Sequence, residues 1–190
     1  MDSITHLRQK AKEHLSEYRY RHTLGCERAA VRLAERYGEN PTWCAMAALL
    51  HDWTKEETVE QQLKLCDKYG IIPLELEKIA WKTLHGKTAA AVARSEFSAP
   101  EAVAQAIASH TTGRRGMTRM DQILYLADFI EETRDFDGVE PARQLAFENL
   151  DRAMIYCLEF SLRDLLERHL PIHPDTVDAL NELYLKKKDS

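Results

Sequence analysis

The sequence predicts an all-helical fold. Only 7 glycines and 6 prolines occur among 190 residues, and they lie between segments in which apolar side chains recur with the 3.6-residue period of a helix. No segment shows the clear alternation of apolar and polar residues that is typical of strands. We therefore expect a helical bundle with little or no sheet.

The first helices of the predicted bundle are bounded by clear start and stop signals. One helix is expected over Ile4–Ser16 and a longer one over Tyr18–Tyr37, ended by Gly38, which can adopt the left-handed conformation of a helix C-cap. Pro41 then begins a helix whose residues are apolar on every side until His51. That pattern is typical of a central, fully buried helix.

The rest of the chain is predicted to form further helices joined by short turns. They are expected at Glu56–Tyr69, Pro73–Leu84, Lys87–Phe97, Pro100–Thr111, Arg119–Glu132, Ala142–His169 and Asp175–Lys187. Gly70 and Gly86 are expected at joints, and the helix over 142–169 is expected to break near Leu150 and Asp151. The charged turn at 135–141 should be exposed and partly mobile. Because about 100–200 residues usually bury one core, we predict a single domain over residues 1–190.

Composition excludes several classes of partner. The formal net charge is −5, with acidic and basic residues mixed, so we expect neither nucleic acid nor a membrane surface as a partner. The N-terminus has no apolar export segment, and the longest apolar run, Trp43–Leu50, is too short to span a bilayer. The four cysteines are widely spaced and indicate reduced thiols. A cytoplasmic protein is predicted.

Two aspartates and two histidines form a candidate metal site. Asp52 and Asp128 each lie inside an apolar run, and an ionised carboxylate that is buried there needs a cation or a metal. His22 falls on the inward face of its helix, and His51 directly precedes Asp52. Taken singly, His22 is better explained as a hydrogen-bonded core histidine than as a metal ligand. Together, the four residues favour Fe, Mn, Co or Zn, with positions left open for water and substrate.

Two further histidines and several cations accompany this set. His85 and His110 are expected at the C-terminal ends of helices, where the helix dipole alone would stabilise them; alternatively they donate to phosphate oxygens or bind a second metal. Solvated surface charges are the alternative for each of the cations. The candidate phosphate-binding cations are Lys55, Arg114, Arg115 and Arg134.

The order H, HD, H, H, D in a helical chain resembles the HD-domain phosphohydrolase superfamily. In finer detail the sequence looks like the YqeK family of symmetrical dinucleoside tetraphosphatases. The resemblance extends from about Arg19 to Asn181 and is strongest in AALLHDWTKE, in HTTGR followed by LADFIE, and in IHPDTVDALN. It implies an HD-domain helical bundle, iron as the cofactor, and hydrolysis of diadenosine tetraphosphate to two ADP.

The resemblance also implies roles for individual residues. The implied metal ligands are His22, His51, Asp52 and Asp128. The implied nucleotide-binding residues are Arg19, Lys55, His85, His110, Thr111, Arg134, Ile172 and His173. Two departures from the family pattern put contacts in question: Glu132 stands where the family has proline, and Leu180 stands where it has arginine before Asn181.

The expected reaction is in-line attack on phosphorus by a water that a metal ion activates. Candidate catalytic residues are Asp52, which would orient or deprotonate the water, His85 or His110, which would protonate the leaving phosphate, and Lys55. Another HD-type hydrolysis, of nucleoside mono- or triphosphates, remains an alternative, as does a non-catalytic nucleotide sensor. The sequence leaves open the metal, the number of ions and whether the C-terminal helices form a homodimer.

Overall fold

The computed structural model describes residues 3–188. Over this range it contains eleven α-helices, one 3₁₀ turn and no strand, so the all-helical prediction is confirmed. The α-helices are α1 Ile4–His14, α2 Glu17–Tyr37, α3 Pro41–Leu50, α4 Val59–Tyr69, α5 Glu75–Ile79, α6 Leu84–Phe97, α7 Glu101–Ser109, α8 Arg119–Ile130, α9 Val139–Glu148, α10 Leu150–Glu167 and α11 Pro174–Lys188, with the 3₁₀ turn at Trp81–Thr83. None of these described helices combines the length and the apolarity that a membrane span requires.

Helix α3 lies at the centre of the bundle. Every residue from Cys44 to Leu50 is buried, and the helix packs against α1, α2, α6, α7 and α8. The prediction of a central helix is confirmed. Because His51 and Asp52 follow its last residue, the chain delivers these two side chains to the interior of the protein, where both are buried.

Side-chain caps and glycines set most helix ends. Gly38 and Gly70 both adopt the left-handed conformation, with φ of 69° and 66°, as predicted for residues that end helices. Helix α4 begins at Val59, later than expected at Glu56, because Thr58 and Gln61 form a reciprocal capping box at its start. The four cysteines are free and buried.

The segment around Gly86 differs from the prediction. The expected helix over 73–84 is interrupted at Ala80, whose ψ of 45° separates α5 from the 3₁₀ turn. Gly86 is not a joint, because α6 already begins at Leu84 and places His85 in its first turn rather than at a C-terminal end. A Cβ at Gly86 would lie 3.0 Å from the carbonyl oxygen of Ala108, so this glycine serves the close approach of α6 to the end of α7.

The C-terminal third also departs from the expected boundaries. The turn at 135–141 is shorter than predicted, since α9 begins at Val139, which is buried. Gly138 precedes it with φ of 102°, a conformation that favours glycine. The expected helix over 142–169 is two helices, divided at Asn149, whose side chain caps α10 by accepting from the Arg152 amide. The anticipated break lies one residue earlier than expected.

Candidate metal centre

Three helices bring the four predicted metal ligands together. His22 comes from α2, His51 and Asp52 follow α3, and Asp128 lies on α8. The Nε2 atom of His22 lies 3.0 Å from Oδ1 of Asp128 and 3.5 Å from Oδ2 of Asp52. The Nε2 atom of His51 lies 3.4 Å from the same Asp52 oxygen. The structure thus assembles all four side chains that the sequence singled out.

The two remaining predicted histidines approach the other oxygen of Asp52. The Nε2 atoms of His85 and His110 lie 3.2 Å and 3.7 Å from Asp52 Oδ1 and 2.9 Å from each other. The hydroxyl of Thr111 lies 3.2 Å and 3.1 Å from the same two nitrogens. Asp52 therefore stands between two groups of histidines, one at each of its oxygens.

Backbone carbonyls fix the orientation of three imidazole rings. A carbonyl only accepts, so each Nδ1 carries a proton, and in the neutral ring Nε2 then keeps a lone pair that points into the centre. The bonds run from Nδ1 of His51 to Ala48 (2.7 Å), from Nδ1 of His85 to Lys82 (2.6 Å) and from Nδ1 of His110 to Ile107 (2.7 Å). Three lone pairs that converge on a buried carboxylate are the donor set of a metal site.

The Asp52 carboxylate itself indicates that a cation fits here. Its Oδ1 atom is buried and has no hydrogen-bond donor among the described residues, and an unpaired buried carboxylate oxygen is costly. The lone pairs of His85 and His110 face this atom but cannot donate to it when Nδ1 carries the proton. A divalent ion would satisfy the carboxylate and the imidazoles at once.

The acid–base properties of the centre follow from this crowding. Burial alone would lower the pKa of His22, but hydrogen bonds to Asp128 and Glu131 and the nearby carboxylates raise it to about 9. Burial would raise the pKa of Asp128, yet the His22 bond and the charge of Arg134 hold it well below its usual range. Burial and the neighbouring Lys55 lower the pKa of His85 to about 4. At neutral pH His22 therefore holds a proton and His85 does not.

Sequence reasoning missed Glu131, the residue that orients His22. Its carboxylate is buried, lies 3.1 Å from His22 Nδ1 and accepts two bonds from Thr133. A Cβ at Gly25 would collide with this carboxylate, so the glycine makes room for it. The signal was present in the spacing, because Glu131 follows Asp128 by one helical turn and Gly25 follows His22 by three residues.

Three of the predicted cations surround the carboxylates. Arg19 donates from Nη1 to Asp52 Oδ2 at 2.6 Å, and Arg134 donates to the side chain and the carbonyl of Asp128 at 2.6 Å and 2.9 Å. Lys55 Nζ lies 3.2 Å from His85 Nε2. Each of these side chains places a positively charged group beside the metal centre, where a bound small molecule could contact it.

The structure does not bring the other two cations to the centre. Arg114 is bound to Asp121 at 2.6 Å and to the carbonyl of Arg115, and Arg115 is exposed. These contacts hold the turn before α8 instead. The interpretation of Arg114 and Arg115 as phosphate ligands therefore has no support in the geometry.

A cavity of about 1000 Å³ opens beside the centre. His110, Asp128, Lys55 and Arg134 line it at the metal centre, and apolar and polar side chains from several other segments complete its wall. Ligand pockets typically have volumes of about 300–1,000 Å³, so this one holds a nucleotide-sized molecule. The centre is thus open on the side of a large, cation-bearing cavity.

Comparison with known families identifies the fold. A family model described as HD domain matches residues 19–133, a span that includes all six histidine and aspartate residues of the centre. The chain belongs to the HD-domain family. An HD superfamily hydrolase from Clostridium acetobutylicum, whose crystal structure is described as that of a predicted enzyme involved in NAD metabolism, is similar over 98% of this chain and 99% of its own, with a TM-score of 0.94 and 31% identity.

Two curated relatives narrow the position of the chain within the HD-domain family. A Halalkalibacterium halodurans protein is 35% identical over 181 residues, which cover 95% of this chain and 96% of the relative. A Bacillus subtilis protein is 33% identical over 173 residues, which cover 90% and 92%. Both relatives are named symmetrical bis(5'-nucleosyl)-tetraphosphatase.

Of the two residues before α11 that were expected near a nucleotide, Ile172 and His173, one lines the cavity of this HD domain. Among the described residues, the cavity wall includes His173 but not Ile172. His173 is bound through Nε2 to the buried carboxylate of Glu77 at 3.3 Å, and Lys87 pairs with the same oxygen at 2.6 Å. Burial would raise the pKa of Glu77, but its bonds to His173, Lys87 and the Leu74 amide lower it to about 2. His173 thus fastens α5 to the loop before α11.

The two departures from the family pattern lie outside the metal centre. Glu132 is exposed and forms an ion pair with Arg28 of α2, so it ties the turn after α8 to a neighbouring helix. Leu180 is buried in the hydrophobic core. It does not belong to the described cavity wall.

Proposed function

We propose that this HD-domain protein is a metal-dependent symmetrical bis(5'-nucleosyl)-tetraphosphatase that hydrolyses diadenosine tetraphosphate to two ADP. The observation that carries the proposal is the convergence of four imidazoles on the two oxygens of Asp52, at one end of a large cavity that also bears Lys55 and Arg134. The names of the relatives, which match nearly the whole chain, supply the substrate.

The metal ligands in this proposal are His22, His51, Asp52 and Asp128. Iron is the proposed metal, with manganese, cobalt and zinc as alternatives, since histidine and carboxylate donors accept each of them. A bound metal would supply positive charge for the phosphoryl oxygens and lower the pKa of a coordinated water. His85 and His110, with Asp52 Oδ1, offer a further donor set at which a second ion would fit.

The chain's own side chains have complementary roles. Asp52 is the proposed residue that orients the attacking water, and Arg19 fixes its carboxylate by donating to Oδ2. Lys55, Arg134 and Thr111 line the cavity where phosphate oxygens would lie, and their charges and hydroxyl would stabilise the transferred phosphoryl group.

The histidines are better suited to binding than to proton donation. With its pKa near 4, His85 is neutral at pH 7, and burial also lowers the pKa of His110. We therefore favour both residues as ligands or acceptors over a role as general acids. An ADP leaving group needs charge stabilisation more than it needs a proton, so this choice leaves the proposed reaction intact.

A substrate panel with identified products tests the proposal. The diadenosine tetraphosphate reaction should give ADP alone, and ADP should inhibit, because the site must hold one whole ADP unit. Formation of AMP and ATP, or preferential release of inorganic phosphate from nucleoside mono- or triphosphates, would favour another HD-type hydrolysis. Nucleotide binding without metal-supported turnover would favour a non-catalytic sensor.

The free thiols and the proposed substrate suggest where the enzyme acts and what it binds. We place it in the cytoplasm, where its four free, buried thiols stay reduced, with a small nucleotide as its partner. A homodimer through the C-terminal helices remains a hypothesis, which light scattering of the purified protein tests directly.

A further inference from the structure

We infer that three phenylalanines, Phe129, Phe136 and Phe160, form the platform on which the nucleobase of the substrate stacks. The inference deepens the proposed function and rests on it for the identity of the ligand. No role in the chemistry follows for these rings, since they carry no polar group. What they would supply is affinity for a base, and thereby a preference among nucleotides.

The three rings form one cluster in the wall of the cavity. Phe129 meets Phe136 and Phe160 edge to face, with ring centroids 5.2 Å and 5.7 Å apart, and Phe136 lies 5.3 Å from Phe160. All three rings line the cavity and are half-buried. Phe129 packs against the hydrophobic core, so it supports the other two from below. The cluster thus offers aromatic surface to a ligand in the cavity.

The position of the cluster suits a nucleotide whose phosphates lie at the metal centre. Phe129 directly follows Asp128, and Phe136 lies two residues beyond Arg134, which binds that aspartate. One turn therefore carries both a cation for phosphate and a ring for the base. The same cavity is lined by His110 and Asp128 of the metal centre and by the three rings of the cluster, so one ligand in it can contact both.

Backbone contacts fix this turn in place. The guanidinium of Arg143 on α9 donates to the carbonyls of Ile130, Glu131 and Arg134, each at 2.8–2.9 Å. At the end of the turn, a Cβ on Gly138 would lie 2.9 Å from the ring of Phe160. The turn is therefore closely packed on the aromatic cluster, and the separation between phosphate-binding cation and ring is set by the fold.

Polar groups adjoin the cluster on the same helix. Ser161 and Asp164 of α10, and Arg168 directly after this helix, also line the cavity, and Asp164 lies one helical turn beyond Phe160. Asp164 accepts from Arg168 at 2.9 Å, so a hydrogen-bond acceptor and donors lie side by side. A purine edge presents the matching donor and acceptor atoms, and its two fused rings stack over more area than a pyrimidine. The cluster should therefore favour purines.

The test compares ligands that share phosphates but differ in the base. Calorimetry on the metal-loaded enzyme would measure binding of ADP, UDP and inorganic pyrophosphate to the unaltered chain and to Phe136→Leu and Phe160→Leu. Base stacking on aromatic rings corresponds to roughly 5- to 150-fold in affinity. We expect each variant to weaken ADP binding about tenfold, to reduce the preference for ADP over UDP, and to leave pyrophosphate binding unchanged.

Phe147→Leu is the matched control. Phe147 is a half-buried phenylalanine on α9 that contacts Arg32, 4.8 Å from its ring, and it does not belong to the described cavity wall. ADP affinity should stay the same in this variant. The inference is overturned if Phe136→Leu and Phe160→Leu lose ADP and pyrophosphate affinity in parallel, or if neither variant loses ADP affinity. An equal loss of ADP affinity in Phe147→Leu would also overturn it. These experiments measure binding without turnover. They therefore test whether the base stacks on the three rings even if the products of hydrolysis are not two ADP.

Discussion

The two ends of the cavity are built in different ways. At one end lies the metal centre, called the floor below, which comprises His22, His51, Asp52, His85, His110 and Asp128 and is held by helices that pack in the core. At the other lies the outer wall, residues 71–83, which consists of the five-residue helix α5, the 3₁₀ turn and their connections. In the outer wall Ile72 is 89% exposed and Ile79 is 74% exposed. The metal-binding groups are fixed by the core, whereas the outer wall is held by a few polar contacts.

Removing a floor carboxylate should have the largest effect. Asp128→Asn keeps the shape of the side chain but removes the charge that pairs with His22 and Arg134. We expect turnover to fall by about 1,000-fold or more, together with metal content, because both carboxylates are needed to balance the ion. Metal analysis and initial rates on one preparation measure the two losses. Full activity in the variant would contradict the assignment of Asp128 as a ligand.

Metal affinity should depend steeply on pH. The metal must displace the proton of His22, whose pKa is about 9. Below that pH the proton competes, so affinity should rise about tenfold per pH unit from pH 7 and level off near 9. Metal titrations at several pH values check the slope, and calorimetry in buffers of different ionisation enthalpy should detect the released proton. A flat profile across this range would mean that no proton on His22 opposes the metal.

The orientation of His22 should matter nearly as much as its presence. Glu131→Gln removes the charged partner of His22 Nδ1, and loss of such a support typically costs about 10- to 100-fold in metal affinity or activity. The neighbouring Glu132→Gln is a matched control, because Glu132 is exposed and pairs only with Arg28 among the described residues. Equal effects of the two substitutions would show that the Glu131 carboxylate has no special role.

A substitution in the outer wall should have a smaller effect than one in the floor, and it should change stability and KM rather than metal binding and kcat. Glu77→Gln leaves Lys87 and His173 without their carboxylate, and we expect a loss of about 2 kcal/mol in stability at pH 7 and a KM raised severalfold with kcat little changed. The folded pKa of Glu77 is depressed to about 2. Its contribution is therefore present above about pH 4.5 and lost as the pH falls from there towards 2.

Urea unfolding at several pH values tests this dependence. The stability difference between the unaltered chain and Glu77→Gln should shrink as the pH is lowered through that interval. A difference that stays constant down to pH 2 would show that the carboxylate charge is not what holds the outer wall. A fall in kcat as large as that in Glu131→Gln would remove the distinction between floor and wall.

Most floor residues could be predicted from the sequence because they are polar residues at positions where the helical pattern expects buried apolar ones. Asp52 and Asp128 stand in apolar runs, and His22 falls on an inward helical face. Gly86 misled the prediction, because its close contact with the Ala108 carbonyl is invisible in one sequence and a glycine ordinarily suggests a joint. His85 was consequently expected at the wrong end of a helix, although it reaches the centre.

The outer wall and the partners of the cations could not be predicted in the same way. Helix α5 is too short to show a helical period. Glu77 contacts His173, which lies 96 residues away in the sequence. Arg114 looked like a phosphate ligand because it follows His110 closely, yet it pairs with Asp121. Contacts of this kind depend on tertiary packing, which neither spacing nor composition records.

Product analysis before and after metal removal tests the proposed metal-dependent symmetrical cleavage most directly. One preparation would be assayed on diadenosine tetraphosphate as purified, after chelation, and after Fe²⁺ or Mn²⁺ is restored, with nucleotides separated by chromatography. We expect ADP as the sole nucleotide product, loss of turnover on chelation and recovery with the metal. Undiminished turnover in the stripped protein, or AMP and ATP as the products, would contradict the assignment.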